Sequence, residues 1–319
     1  MFGRILVPLD GSQLAEVALR HARHLAEIFH SRLVLVQVLE AASSAEGGEY
    51  IEPLSWQIRK AEADLYLRGL ASKMEEDGQP AEYFLLEGRT AEAIVQFAQN
   101  SEIDLVVLSS HGQSGLSRWN ISSVVSKVVE KVYLPVMVVR AYQALEEASS
   151  DVKYKKVLLP HDLSRRSECS LPVAVAITQA DEGELLLAHV LLRPEVAPTL
   201  PESAELNRLA DEYLRLSQQA YGAYMDELCE RVQVSSQARL LQGESIPRAL
   251  HELIEQESVD LVVMCAHGHG ALTEWPYGSV PRHFIEQGSR PVLVLQDVPR
   301  NVVRPTAAEI AAAKYGSRG

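Results

Sequence analysis

The sequence predicts an α/β fold: two tandem, open, parallel five-stranded sheets, each flanked by helices. Three observations predict it. Strand-sized apolar runs alternate with segments whose apolar residues recur at helical spacing, the pattern of βα units with right-handed crossovers. The runs are apolar without polar alternation, as in strands covered on both faces. The whole order then occurs twice: Lys156-Val-Leu-Leu-Pro-His-Asp162 matches Arg4-Ile-Leu-Val-Pro-Leu-Asp10 at an offset of 152 residues.

In the first half, Arg4 to Asp10 is a strand ending in a carboxylate, and Ser12 is the expected N-cap of a helix. Leu14, Ala18, Ala22, Leu25 and Phe29 give that helix one apolar face. Leu33 to Val38 is a second strand, and residues 41–55, small and polar, read as loop. Trp56 to Glu76 reads as a helix stopped by Gly78-Gln-Pro80. Tyr83–Leu86, Ala91–Gln99, Asp104–Leu108 and Ser122–Lys131 follow as strand, helix, strand and helix. Pro135 to Val139 is a fifth strand, with proline at its first residue, where a ladder tolerates it.

Residues 1–141 therefore form one domain, 142–152 a polar linker, 153–298 a second domain and 299–319 a tail without assigned function. Leu185–Val190 repeats Leu33–Val38, whereas Asp260–Met264 and Pro291–Leu295 repeat their counterparts at an offset of 156, which implies small insertions in the middle of the second half. The period is too long for a solenoid repeat. Pro172 falls inside the expected helix after Asp162 and should kink it or delay its start.

Net charge is −13, against a nucleic-acid-binding surface and against adhesion to anionic lipid. No run reaches transmembrane length. The N-terminus enters a strand at once, which leaves no room for a signal peptide. Cys169, Cys229 and Cys265 are too few and too scattered for a disulfide framework. The expectation is a cytoplasmic protein with no nucleic acid or membrane partner.

The chemistry concentrates after the fourth strand of each half. Cys265-Ala-His-Gly268, nine residues, then Gly278-Ser279 parallels Ser109-Ser-His-Gly112, nine residues, then Ser122-Ser123. Such a loop, between a strand end and a helix N-terminus, can lay backbone N–H groups around a phosphate. If the winding reverses between the first and fourth strands, Asp10 and Asp162 converge on these loops. There each carboxylate either accepts from a ribose or an adenine amino group, or only opens a βα turn. No Walker A sequence, dinucleotide fingerprint or serine nucleophile elbow occurs. Cys265, His267 and His269 match no usual zinc spacing.

The run Val-Pro-Leu-Asp10-Gly-Ser, the segment Asp104 to Gly112, Ser122-Ser123 and Leu-Pro-Val-Met-Val-Val139 resemble a universal stress protein domain, and Val157 to Leu295 resembles another. The resemblance implies a Rossmann-like, adenine nucleotide alpha hydrolase-like fold in each half. Family members that bind ATP carry Gly-x-x-Gly-(nine residues)-Gly-Ser/Thr after the fourth strand. That motif falls here on Ser109, Gly112, Ser122 and Ser123, and on Cys265, Gly268, Gly278 and Ser279. The carboxylate maps to Asp10 and Asp162 and the base-contacting position to Val38 and Val190, with Leu108, His111 and Val124, and Met264, His267 and Val280, completing the two implied sites.

Serine replaces glycine twice in the first half and Cys265 replaces it once in the second, and a Cβ at a site of positive φ or close phosphate approach costs about 1 kcal/mol or more. Ser122 is the graver departure. Ser279 is expected to cap its helix or meet a phosphate, and Tyr277 to turn outward. The second half is thus the better site for ATP or a related adenine nucleotide, with or without Mg, held as a regulatory ligand. The alternatives are an interaction scaffold with degenerate sites, and a slow ATPase. The halves are expected to pair through their fifth strands as an intramolecular pseudo-dimer; a homodimer of the whole chain is compatible with this.

Overall fold

A computed structural model of the chain describes residues 1–40, 53–112, 121–141, 152–194, 204–268 and 276–297. Most of the 41–55 loop and of the 142–152 linker, the tail, His269 and Gly270 lie outside the described residues. The first half runs β1 (Arg4–Leu9), α1 (Gln13–Phe29), β2 (Arg32–Leu39), α2 (Pro53–Glu76), β3 (Ala81–Glu87), α3 (Thr90–Asn100), β4 (Leu105–Ser109), α4 (Ser123–Val132) and β5 (Val136–Val139). The second runs β6 (Lys156–Pro160), a 3-10 turn (Ser167–Ser170), α5 (Leu171–Ala180), β7 (Glu184–Leu192), α6 (Ala204–Arg231), β8 (Ser236–Gly243), α7 (Ile246–Glu257), β9 (Leu261–Cys265), α8 (Ser279–Gln287) and β10 (Val292–Leu295).

Local chemistry explains most boundaries. Ser12 caps α1, its Oγ accepting from the Ala15 N–H at 3.1 Å. Gly78, at φ +80°, ends α2. α2 begins at Pro53, three residues before Trp56, since proline suits the first helical turn, where no N–H partner is needed. Pro172 delays its helix as expected: a 3-10 turn precedes α5, which takes the proline in its first turn. The register dates the insertions. Leu33 pairs with Ala81 and Leu185 with Ser236, so three extra residues lie between β7 and β8.

The two expected five-stranded sheets are joined into one. Among the described residues, strand order is β3-β2-β1-β4-β5-β10-β9-β6-β7-β8, parallel within each half and antiparallel only where β5 meets β10. Val136, Met137 and Val138 pair with Val294, Leu293 and Val292 about the pseudo-twofold. Strand side chains alternate between two apolar layers, Ile5 and Val7 toward α1 and α2, Leu6 toward α3 and α4. Both layers run through both halves.

Polar contacts reinforce the junction. The buried His21 Nδ1 lies 2.6 Å from the Tyr154 hydroxyl, His24 Nε2 lies 2.8 Å from Asp181, and Arg140 donates to the Phe284 and Ile285 carbonyls at 2.6 and 2.8 Å. Asp181 is held below the usual carboxylate range: burial alone would raise it, but the bonds from His24 and the Tyr154 N–H outweigh that. Separating the halves would expose two all-apolar edge strands, a template for mispairing. Residues 1–141 expressed alone are therefore expected to self-associate; a monomer at all concentrations in sedimentation velocity would contradict this.

Candidate functional site

In each half the winding reverses at the first strand: β1 lies between β2 and β4, and β6 between β7 and β9. In open α/β sheets, ligands settle in the crevice at the carboxyl ends of the strands beside such a reversal. In the second half the crevice is a cavity of about 780 Å³, within the size range of ligand pockets. Asp162, Val190, Met264, Cys265, His267, Gly268, Gly278, Ser279 and Val280, the full set expected from sequence, all line it.

The carboxylates have one arrangement in both halves. Asp10 Oδ1 accepts from the Ser12 N–H (3.0 Å) and hydroxyl (2.5 Å), and Asp162 Oδ1 from the Ser164 N–H (3.0 Å) and hydroxyl (2.6 Å). Each does open a βα turn. Its other oxygen lies against the loop glycine: a Cβ built on Gly112 would fall 2.0 Å from Asp10 Oδ2, and one on Gly268 2.1 Å from Asp162 Oδ2. These glycines are required by space for a carboxylate.

That corrects the conformational argument for the other loop positions. Ser122, at φ −65°, and Gly278, at φ −67°, share an ordinary extended conformation, so serine carries no backbone strain there. Ser122 instead caps α4, its Oγ accepting from Val125 N–H at 3.3 Å. At the matching position of α8 stands Pro281, which has no N–H to cap, so Gly278 forgoes nothing. Ser279 is the first residue of α8 and not its cap. What remains different is that Ser122 fills with a committed hydroxyl the space that Gly278 leaves open.

The first-half residues meet in the same topology but are differently engaged. Ser122 N–H donates to the Ser110 carbonyl as Gly278 N–H does to that of Ala266, at 2.9 and 2.7 Å. Ser109 Oγ bonds the carbonyls of Leu14 and His111 (2.7 and 2.8 Å), and the Ser110 hydroxyl lies 3.1 Å from His111 Nδ1. Leu108 is buried, Val38 and Val124 are half-buried against the core, and Ser123 is exposed. Residues 113–120 lie outside the described residues.

Tyr277 does not turn outward. It is buried, and its hydroxyl donates to the Leu134 carbonyl of the first half at 2.8 Å; burial pushes the phenol up, so it stays a donor. Sequence reasoning also missed His161, Ser167, His189 and Arg282 in the cavity wall. His161 Nδ1 accepts from the Leu163 N–H (2.9 Å), which leaves its Nε2–H to donate to Ser167 Oγ (3.0 Å). His161 stands beside Asp162 in the repeat, the one signal that could have found it. Leu163 takes the place of Gly11 and keeps its left-handed conformation, φ 65° against 78°. A leucine there costs roughly 1–2 kcal/mol, so the turn beside the cavity is strained where its counterpart is not.

His267 is buried with Nδ1 2.6 Å from Asp297, which also pairs with Arg166 at 3.3 Å. The cavity thus combines an apolar wall (Ala188, Val190, Met264), the Asp162 carboxylate, and the N-terminus of α8 with Arg282. The α8 N-terminus favours negative charge. Such a site can hold a flat apolar ring at one end and an anion at the other.

The Universal stress protein family model matches residues 1–140 and 153–296. A universal stress protein of Methanocaldococcus jannaschii is 30% identical over 148 residues, 44% of this chain and 83% of its own. One of Mycobacterium tuberculosis is 30% identical over 203 residues, 61% of this chain and 62% of its own. The crystal structure of a universal stress protein from Archaeoglobus fulgidus shares the fold across both halves, with TM-score 0.61 at 18% identity, covering 92% of this chain and 98% of that one. With two domain-length matches meeting at the observed pseudo-twofold, the chain belongs to the universal stress protein family, as a tandem of two such domains.

Proposed function

We propose that this chain is a stress-response protein whose second half binds ATP or a related adenine nucleotide as a regulatory ligand. One observation carries the reading: the nine second-half positions expected from sequence all line a single cavity at the point where the sheet reverses. The residues fit such a ligand. Val190 and Met264 can take the base, Asp162 a ribose hydroxyl, and Gly278, Ser279 and the first N–H groups of α8 the phosphates. Gly268 and Gly278 keep Cβ atoms out of the cradle, and Mg can accompany the phosphates.

The first half serves as the partner that completes the sheet. Its loop hydroxyls, committed to Leu14, His111 and Val125, favour the scaffold reading for that half. Isothermal titration of the purified chain with ATP tests both statements. One site per chain is expected. Gly278→Val should remove most binding, because its branches would crowd the Ala266 carbonyl, already 3.3 Å from an ideal Cβ. Ser122→Val should leave binding unchanged. The reverse pattern would assign the site to the first half.

A further inference from the structure

Cys169 and Cys265 are 96 residues apart in sequence, yet their sulfurs lie 3.3 Å apart and share one S–H···S hydrogen bond. Cys265 ends β9 and lines the cavity; Cys169 sits on the 3-10 turn that packs against β9, and is exposed to solvent. We propose that Cys169 and Cys265 are a peroxide-responsive dithiol that closes reversibly to an intramolecular disulfide in the wall of the second-half cavity. The inference needs no ligand in the cavity and stands apart from the nucleotide reading.

Placement supports each role. Cys169 has the access to meet an oxidant, and buried Cys265 is within reach to resolve it. The hydrogen bond shared with Cys265 holds the Cys169 sulfur below the ordinary thiol range, against the opposing effect of its partial burial; the same bond, together with burial, pushes Cys265 up. Thiolate character and exposure thus fall on the same residue. Closing to a bonded pair requires an approach of little more than an ångström. A four-residue 3-10 turn, placed ahead of the delayed α5, can yield by that much more readily than a central strand. The first half cannot copy the device: Val17 stands 152 residues before Cys169, and Ser109 at the place of Cys265.

The chemistry balances with hydrogen peroxide as the oxidant. The Cys169 thiolate attacks one peroxide oxygen; an S–O bond forms, the O–O bond breaks, and the departing hydroxide leaves as water after taking a proton. Cys265 sulfur, losing its proton to the sulfenic oxygen, then attacks Cys169 sulfur; the S–S bond forms, the S–O bond breaks, and a second water leaves. Two thiols lose two electrons and peroxide gains them. The disulfide staples the 3-10 turn, which carries the cavity residue Ser167, to β9.

The test uses the full chain, reduced, desalted and treated with a small excess of hydrogen peroxide. Of its three cysteines, the chain should lose two free thiols and two hydrogens in mass, and a digest should yield one peptide linking Cys169 to Cys265. Dithiothreitol should restore all three thiols. Cys229→Ser should still form the link, and Cys265→Ser should instead accumulate a Cys169 sulfenic acid trapped by dimedone. Because wild type and Cys229→Ser already decide the matter, misfolding of the Cys265 variant would not rescue a failure. Retention of all thiols, a link to Cys229, dimers between chains, or sulfinic acid without a link would each overturn the proposal.

Discussion

Gly268→Ala is expected to reduce ATP affinity by roughly tenfold or more, equivalent to about 1.4 kcal/mol, and to destabilise the chain by about 1–3 kcal/mol. The added Cβ would stand 2.1 Å from Asp162 Oδ2 and 2.9 Å from its Cγ, closer than real atoms approach. Either the loop or the carboxylate must move. The carboxylate is the lighter group, but it holds the Ser164 N–H and hydroxyl through Oδ1, so its displacement undoes the turn that opens the second half's first helical segment. A double variant, Gly268→Ala with Asp162→Gly, should be no less stable than Asp162→Gly alone and should not regain the affinity, since the clash is gone but so are the carboxylate's bonds to Ser164 and the proposed ribose partner. Strong coupling between the two positions is the signature, as expected for groups in contact. Gly112→Ala, against Asp10, should cost similar stability while ATP binding persists. If Gly268→Ala melts and binds as wild type does, the contact of carboxylate and glycine is not the constraint described above.

Stability should fall as the solution is acidified below about pH 6.5, through His21. This side chain is buried at the junction of the halves against the Tyr154 hydroxyl, and burial, assisted by Arg20 and His24, lowers its pKa from 6.5 to about 3. Its folded pKa lies below the unfolded one. The unfolded chain therefore takes up a proton that the folded chain refuses, and the folded state loses ground between those two values. Above pH 6.5 there is no penalty; below it each pH unit costs about 1.4 kcal/mol. Asp181, held low beside His24, adds a further loss only below its unfolded value of 3.8. Urea unfolding at pH 7.5, 6 and 5 should show wild type losing stability relative to His21→Gln by about 2 kcal/mol over that range. Parallel pH profiles for the two proteins would show that His21 is protonated in the folded state.

The elements, their order and the tandem division could be read from the residues, because apolar periodicity reports which faces are buried and a repeat of that pattern reports a repeated fold. Periodicity also located the strand ends where the loops with Gly112 and Gly268 begin, and a proline in a helical pattern foretold the delayed start of α5. The second-half positions that line the cavity were legible through the family resemblance and its motif spacing, which fixes which loop follows which strand. How these positions are engaged came only from contacts in the folded chain, chiefly those between segments far apart in sequence. Whether a glycine serves conformation or space depends on which atom lies against its α-carbon, and for Gly268 that atom belongs to Asp162, 106 positions earlier in the chain. Ser122 and Gly278 differ through their partners three residues on, Val125 with an N–H and Pro281 without one. The inward turn of Tyr277 to Leu134, the seam between β5 and β10, and the meeting of Cys169 with Cys265 are contacts between distant segments. No local pattern encodes these, because they arise only when packing brings separate surfaces together.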